Sequence, residues 1–287
     1  MPRIDAHHHL WRYNEQDFSW ISDDAAALRR DFLPTEFAQV LADTGVDAAV
    51  AVQSRCLLEE TKWLLACAET TPQIAAVVGW VPLTSGTLST LLDQLSGEPR
   101  LAGFREIVQD QPPGFLLTDA FNRGMLQLTA RGLTYDLLIR ASQLDEAIRF
   151  VDLHPNQSFV LDHAAKPLIN FRQLEPWRAD VHKLAERPNV LCKLSGLVTE
   201  AHWQRWTEHD LYPYLDTCLQ AFGPTRCMVG SDWPVCLTAS SYRRWWQVLE
   251  RWSAPFSSAE QEQILGGTAA QFYGCDPDAA DKLAVHP

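Results

Sequence analysis

This 287-residue chain has no excess of positive charge, no long apolar run and no closely paired cysteines. Its 24 Lys and Arg against 36 Asp and Glu leave a net charge of −12. That excludes the basic surface on which nucleic-acid binding rests, and points to a small-molecule partner. No stretch approaches the ~18 apolar residues of a membrane span. The N-terminus has no basic segment followed by an apolar run, so a cytoplasmic location without a membrane partner is expected. The seven cysteines are an odd set without a Cys-x-x-Cys motif and sit in apolar contexts, as reduced, buried thiols do. Ser195 and Ser231 lie in neither a Gly-x-Ser-x-Gly elbow nor an evident triad, so no serine nucleophile is indicated. Internal repeats and low-complexity segments are also missing.

What is present is a large core, with 46% hydrophobic residues and eleven tryptophans. Apolar strand-like runs at 3–9, 48–53, 75–81, 101–107, 134–139, 159–163, 190–194 and 227–231 alternate with amphipathic helical runs. The helical runs are 33–42, 59–69, 87–95, 118–130, 143–154, 173–186, 208–222, 242–251 and 258–272. Eight near-continuous apolar strands flanked by helices indicate parallel pairing buried on both faces, and predict a single-domain (β/α)8 TIM barrel over residues 1–274 with a C-terminal tail at 275–287. Pro34 early in one helix, Gly45 after it, and a Ser258-x-x-Gln261 capping box support the boundaries. Residues 11–30 lack periodicity and follow the first strand, as a lid or pocket wall would.

The first strand reads Asp5-Ala6-His7-His8-His9-Leu10-Trp11. Strand side chains alternate faces, so His7 and His9 point to one side and His8 to the other, where it packs as a structural residue. The same alternation places Asp5 on the His7 and His9 face but deeper, as a carboxylate that orients an imidazole. In Phe159-Val160-Leu161-Asp162-His163-Ala164-Ala165-Lys166-Pro167 it separates Asp162 from His163, and Asp162 is set aside. A last strand, Cys227-Met228-Val229-Gly230-Ser231-Asp232-Trp233-Pro234, ends in a single carboxylate. Barrel enzymes gather their reacting groups at the C-terminal strand ends. His7, His9, His163 and Asp232 are the catalytic and metal-ligating candidates. Gln53, Arg105, Arg140, Lys166 and Lys193, with Trp11 and Trp233, are the substrate-binding ones; Glu106 and Ser195 also stand at strand ends. Any one of these alone reads as a hydrogen-bonded structural residue. Three imidazoles and a carboxylate on one barrel rim point to a reaction site.

These residues resemble the amidohydrolase superfamily, and within it the branch of sugar-lactone hydrolases that includes L-fuconolactonase- and L-rhamnonolactonase-like proteins. The resemblance is carried by Ile4-Asp5-Ala6-His7-His8-His9-Leu10-Trp11, Gly103-Phe104-Arg105, Leu161-Asp162-His163-Ala164-Ala165-Lys166-Pro167, Cys192-Lys193-Leu194-Ser195-Gly196-Leu197 and Gly230-Ser231-Asp232-Trp233-Pro234. It implies a metal pattern on His7, His9, His163 and Asp232, without the strand lysine that bridges two metals in binuclear members. One metal or none follows. Imidazoles with one carboxylate suit zinc with an open position for water, and metal-independent catalysis is the alternative.

The expected reaction is lactone hydrolysis. Asp232 takes a proton from water, His163, His9 or a bound zinc stabilises the oxyanion, and Asp232 returns the proton to the leaving alkoxide. Arg105, Arg140, Lys166 and Lys193 give the pocket positive character, and Trp11 and Trp233 cover a sugar ring. The rival reading is a hydrolase or decarboxylase acting on a pyrone- or muconolactone-type dicarboxylate. Trp245, Trp246 and Trp252 fit either a contact in a homo-oligomer or a buried helix face.

Overall fold

The computed structural model describes residues 2–275. Its eight parallel strands pair in chain order: β1 (Ile4–His8), β2 (Ala48–Val52), β3 (Ile74–Gly79), β4 (Leu101–Glu106), β5 (Thr134–Leu137), β6 (Phe159–Leu161), β7 (Val190–Leu194) and β8 (Cys227–Val229). Outside them run α1 (Pro34–Thr44), α2 (Leu58–Thr70), α3 (Leu88–Leu95), α4 (Asp119–Thr129), α5 (Leu144–Leu153), α6 (Trp177–Ala185), α7 (Leu197–Glu200), α8 (Glu208–Phe222), α9 (Tyr242–Ser253), α10 (Ser258–Glu262) and α11 (Thr268–Tyr273). This is the expected (β/α)8 barrel.

Two apolar layers hold it together. Ile4, Ala6, Val50, Val52, Val78, Val160 and Met228 fill the barrel interior, where Tyr273 of α11 packs among them. Their strand neighbours, including Ala49, Ala51, Val77, Phe159, Leu161 and Val229, face outward into the larger layer beneath the helices. Alternation between two buried faces explains why the strands read as continuous apolar runs.

The seam between β8 and β1 closes beyond the strand ends. The Asp232 amide donates to the His7 carbonyl at 2.8 Å, and the His9 amide donates to the Trp233 carbonyl at 2.6 Å. The residues that complete the barrel are therefore the ones that carry the expected chemistry.

Local differences from the sequence reading have simple causes. The capping box lies one residue earlier, with Ser257 at the cap and Glu260 accepting from its amide at 2.9 Å. The last helical run is broken by a π-turn at Gln263–Gly267 that separates α10 from α11. Trp245, Trp246 and Trp252 are buried in the outer core, which assigns them to packing and not to a subunit contact. All seven cysteines are free. Among the described residues no helix is long and apolar enough to cross a membrane. Cys275, the first residue assigned to the tail, is buried; the rest of that segment lies outside the described residues.

Candidate active site

The site begins with an extra residue in β1. Asp5 pairs with Ala49 and His8 with Ala51, so three steps along β1 match two along β2. Such a bulge breaks strict alternation. Ala6 joins the interior layer and His7 also turns inward, while Asp5 and His8 face out. Asp5 is thus not on the imidazole face. Its carboxylate accepts from the amides of Ser231 at 2.7 Å and His7 at 3.1 Å, and so staples the seam. Burial pushes that carboxyl up to about 6 despite these bonds. His8 stacks on Phe37 of α1 at 3.8 Å, the structural role expected of it.

Asp232 takes a left-handed backbone conformation, φ 57°, just past β8. The turn brings its carboxylate over the imidazoles. Oδ1 lies 3.4 Å from His9 Nε2, 3.8 Å from His7 Nε2 and 4.0 Å from His163 Nε2. Burial works against its charge, but His163 and His9 outweigh it and hold the carboxyl below the usual range.

His163 opens a left-handed run of four residues, with φ 51° at His163, 49° at Ala164, 60° at Ala165 and 52° at Lys166. Each such residue costs roughly 1–2 kcal/mol without a glycine, so the surrounding packing must impose the turn. It also overturns the setting aside of Asp162. Val160 faces the interior, so alternation sends Asp162 inward as well, and His163 follows only because the chain leaves the strand at Leu161. Asp162 receives Arg105 Nη1 at 3.0 Å and lies 3.1 Å from Lys193 Nζ. Burial opposes ionisation of Asp162, but Lys193, His7 and Arg105 hold its carboxyl well below the usual range. Burial lowers His163 to about 4 and His7 well below its ordinary value.

Above these groups opens a cavity of about 380 Å³. His9, His163 and Asp232 reach its floor; Arg105, Lys166 and Arg140 supply positive charge, and Trp11, Ile107, Leu138 and Val235 an apolar wall. The segment 11–30 forms that wall through Trp11, whose indole donates to the Arg30 carbonyl at 2.9 Å, and through Trp20, half-exposed at the rim. Sequence reasoning passed over Trp20, Gln109 and Asp110, because loop residues carry no periodic signal.

Several predicted contacts lie beneath the cavity instead. Lys193 is fully buried in the barrel, against His7, Asp136 and Asp162. Gln53 is fully buried and exchanges bonds with Arg105: its Nε2 donates to the Arg105 carbonyl at 3.0 Å, and Arg105 Nη2 donates to the Gln53 carbonyl. Trp233 is buried between Phe32 and Phe37, with ring centres 5.2 and 4.9 Å away. His7 is the deepest of the imidazoles and is fully buried.

Two side-chain groups have the composition and spacing to hold a metal ion: His7 with His9 and Asp232, and His7 with Asp162 and His163. In the first, the ligand atoms lie 3.1, 3.4 and 3.8 Å apart. Ligands about 2.0–2.1 Å from a tetrahedral zinc stand ~3.3 Å from one another, so the spacing fits one divalent cation.

The model of the amidohydrolase family matches residues 4–275. The chain belongs to this family. Among amidohydrolase relatives, the L-fucono-1,5-lactonase of Burkholderia multivorans is 41% identical over 97% of this chain and 98% of its own length. The L-fucono-1,5-lactonase of Burkholderia ambifaria is 36% identical, over 98% and 99% respectively. A crystal structure of a Burkholderia multivorans amidohydrolase with bound zinc superposes with a TM-score of 0.93 at 40% identity, covering 96% of this chain and all of that one.

Proposed function

We propose that the protein hydrolyses a sugar lactone, an aldonolactone of the L-fuconolactone type, to the open-chain sugar acid. The observation that carries this reading is the Asp232 carboxylate, Oδ1 3.4 to 4.0 Å from three imidazoles, at the floor of a cavity with charged and apolar walls. The names of the two full-length relatives support it.

Asp232 is held ionised and accepts a proton from water as the water oxygen bonds to the lactone carbonyl carbon. With the Ser195 hydroxyl, 2.9 Å away, donating to its Nδ1, His163 presents Nε2–H to the developing oxyanion. Arg105 and Lys166 add positive charge at the same end. When the tetrahedral intermediate collapses, the bond to the ring oxygen breaks and Asp232 returns its proton to that oxygen. His7, His9 and Asp232 would hold a divalent cation, zinc by its imidazole and carboxylate donors, which supplies Lewis-acid polarisation when bound.

Charge pairing weighs against a dicarboxylate substrate. Arg105 is paired with Asp162 and Arg140 with Asp110, which leaves Lys166 as the pocket cation without an ion pair among the described residues. One free cation suits a neutral polyhydroxylated ring better than two carboxylates.

Acid release from a panel of L-fucono-, L-rhamnono- and galactonolactones, beside a pyrone dicarboxylate, tests the reading. Turnover of a sugar lactone is expected to fall about a thousandfold in folded Asp232→Asn. Silence on every sugar lactone with turnover of the dicarboxylate overturns it.

A further inference from the structure

Residues 12–31 form a loop whose base is closed: the Trp11 amide donates to the Phe32 carbonyl at 3.0 Å, and the Phe32 amide to the Trp11 carbonyl at 2.9 Å. The second half of the loop is anchored by its own packing. Its 3-10 turn, Asp23–Leu28, buries Ala25 and Leu28 and lies against the turn Val235–Thr238 on the cavity side of β8. The first half has much less to hold it. Between Trp11 and Ile21, Phe18 is the one buried side chain, with its ring centre 5.1 Å from that of Trp11. Trp20, two residues further on, is half-exposed and lines the cavity.

A residue outside the loop grips this half at two points. Arg55, between β2 and α2, donates through Nη1 to Asp17 Oδ2 at 2.5 Å, and its guanidinium lies 5.6 Å from the centre of the Phe18 ring. Its aim is fixed from behind. Nε donates to Glu60 Oε2 at 2.6 Å, and Glu60, in the first turn of α2, is buried with its other oxygen receiving the Ser54 amide and hydroxyl, both at 2.7 Å. A planar guanidinium held at Nε by a buried carboxylate has its outer nitrogens in one fixed direction. Asp17 is fixed in the same way: its amide donates to Asn14 Oδ1 at 2.8 Å, and Asn14 Nδ2 donates to its Oδ2 at 2.9 Å. A partly exposed ion pair adds little to global stability. What this one does is join two segments that both line the cavity, Ser54 beside Arg55 and Trp20 beyond Asp17 and Phe18.

We propose that Arg55 is a positioning residue which, through Asp17 and Phe18, holds Trp20 at the cavity mouth for contact with the substrate ring. Arg55 touches no reacting group, so releasing it frees the tryptophan and leaves the chemistry at Asp232 alone. The loss then falls on substrate binding, as a rise in KM without a matching fall in kcat. The kinetic consequence rests on the sugar-lactone reading; the placement of Trp20 does not.

The test begins with the fluorine spectrum of protein labelled with 5-fluorotryptophan, in which the Trp20 line is assigned by its loss in Trp20→Phe. In Arg55→Met that line is expected to move toward the position of free 5-fluorotryptophan, and further than the other tryptophan lines; a Trp20 line that stays in place overturns the proposal. Should Arg55→Met fail to fold, Asp17→Ala carries the same expectation. Kinetics on a sugar lactone that the wild type hydrolyses then give the second readout. Arg55→Met is expected to raise KM about threefold with kcat within about twofold, and to change KM by less than about 1.5-fold when added to Trp20→Ala. Effects of the two substitutions that simply multiply, or a loss confined to kcat, overturn the role assigned to Arg55. Silence of the wild type on every sugar lactone sinks the lactonase reading instead, and the fluorine spectrum still decides the placement.

Discussion

A β-carbon built on Gly230 would lie 2.8 Å from the His7 Cβ and 3.0 Å from the Ser195 Cβ. Glycine at this position is what lets an imidazole and a hydroxyl share the inner face of the seam. Gly230→Ala is expected to destabilise the fold by about 1–3 kcal/mol through overpacking. A displacement of His7 near 1 Å would also cost on the order of a hundredfold in kcat/KM. Denaturant melts and kinetics on the same preparation separate the two effects, and unchanged values of both would show that the neighbours yield freely.

Lys166 and Arg140 both line the cavity but differ in their freedom to bind substrate. Lys166 makes no ion pair among the described residues, and burial lowers its pKa; the Arg140 side chain is half-exposed and held by Asp110 at 3.0 Å. Lys166→Met is expected to lose about 10- to 100-fold in kcat/KM, the value of a hydrogen bond to a charged group. Arg140→Ala is expected to lose less than about fivefold. The opposite ranking would move the recognition of substrate to the outer rim.

Two tryptophans on the same segment separate packing from recognition. Trp11 is fully buried, whereas Trp20 is 51% exposed and meets it edge-on with ring centres 6.2 Å apart. Trp11→Ala is expected to cost about 3–5 kcal/mol of stability. Trp20→Ala should leave stability within about 0.5 kcal/mol and raise KM about fivefold, the loss of one aromatic contact. Thermal melts and KM values decide.

Asp5 gives the fold a dependence on pH. Its carboxyl ionises near 3.8 when unfolded and near 6 when folded, so between these values the native state holds the extra proton. Stability therefore falls as pH rises through that window and levels off above it, by at most on the order of 3 kcal/mol. Asp5→Asn keeps an oxygen for the amides of Ser231 and His7 and is expected to abolish this fall. Urea melts from about pH 4 to pH 7 check it; a variant curve parallel to the wild type would place the dependence elsewhere.

Much of the barrel was legible because period-two alternation between two buried faces leaves a strong signal, and β7 and α8 lie where the pattern put them. His7, His9, His163 and Asp232 were legible as polar breaks in apolar runs. What alternation could not show is where it fails. One extra residue in β1 turned Asp5 outward, and a left-handed backbone beginning at His163 brought that imidazole inside beside Asp162, which alternation from Val160 had already placed there. Lys193 and Gln53 were assigned to the cavity because a polar residue on an inward face can serve either a substrate or another polar residue. Only the depth of the barrel distinguishes the two.

The left-handed run from His163 to Lys166 sets where this scaffold tolerates change. Sliding the chain by one residue there would carry the imidazole and the ammonium off the cavity together, since both are hung from the same coil of backbone. Beyond Pro167 the cover thins: Leu168 and Phe171 are exposed, while Ile169 between them stays buried in a 3-10 turn over Ile169–Phe171. A designer exchanging loops to change which ring is accepted should leave His163 to Pro167 intact as a single part and keep an apolar residue at position 169, whose side chain anchors the turn that follows.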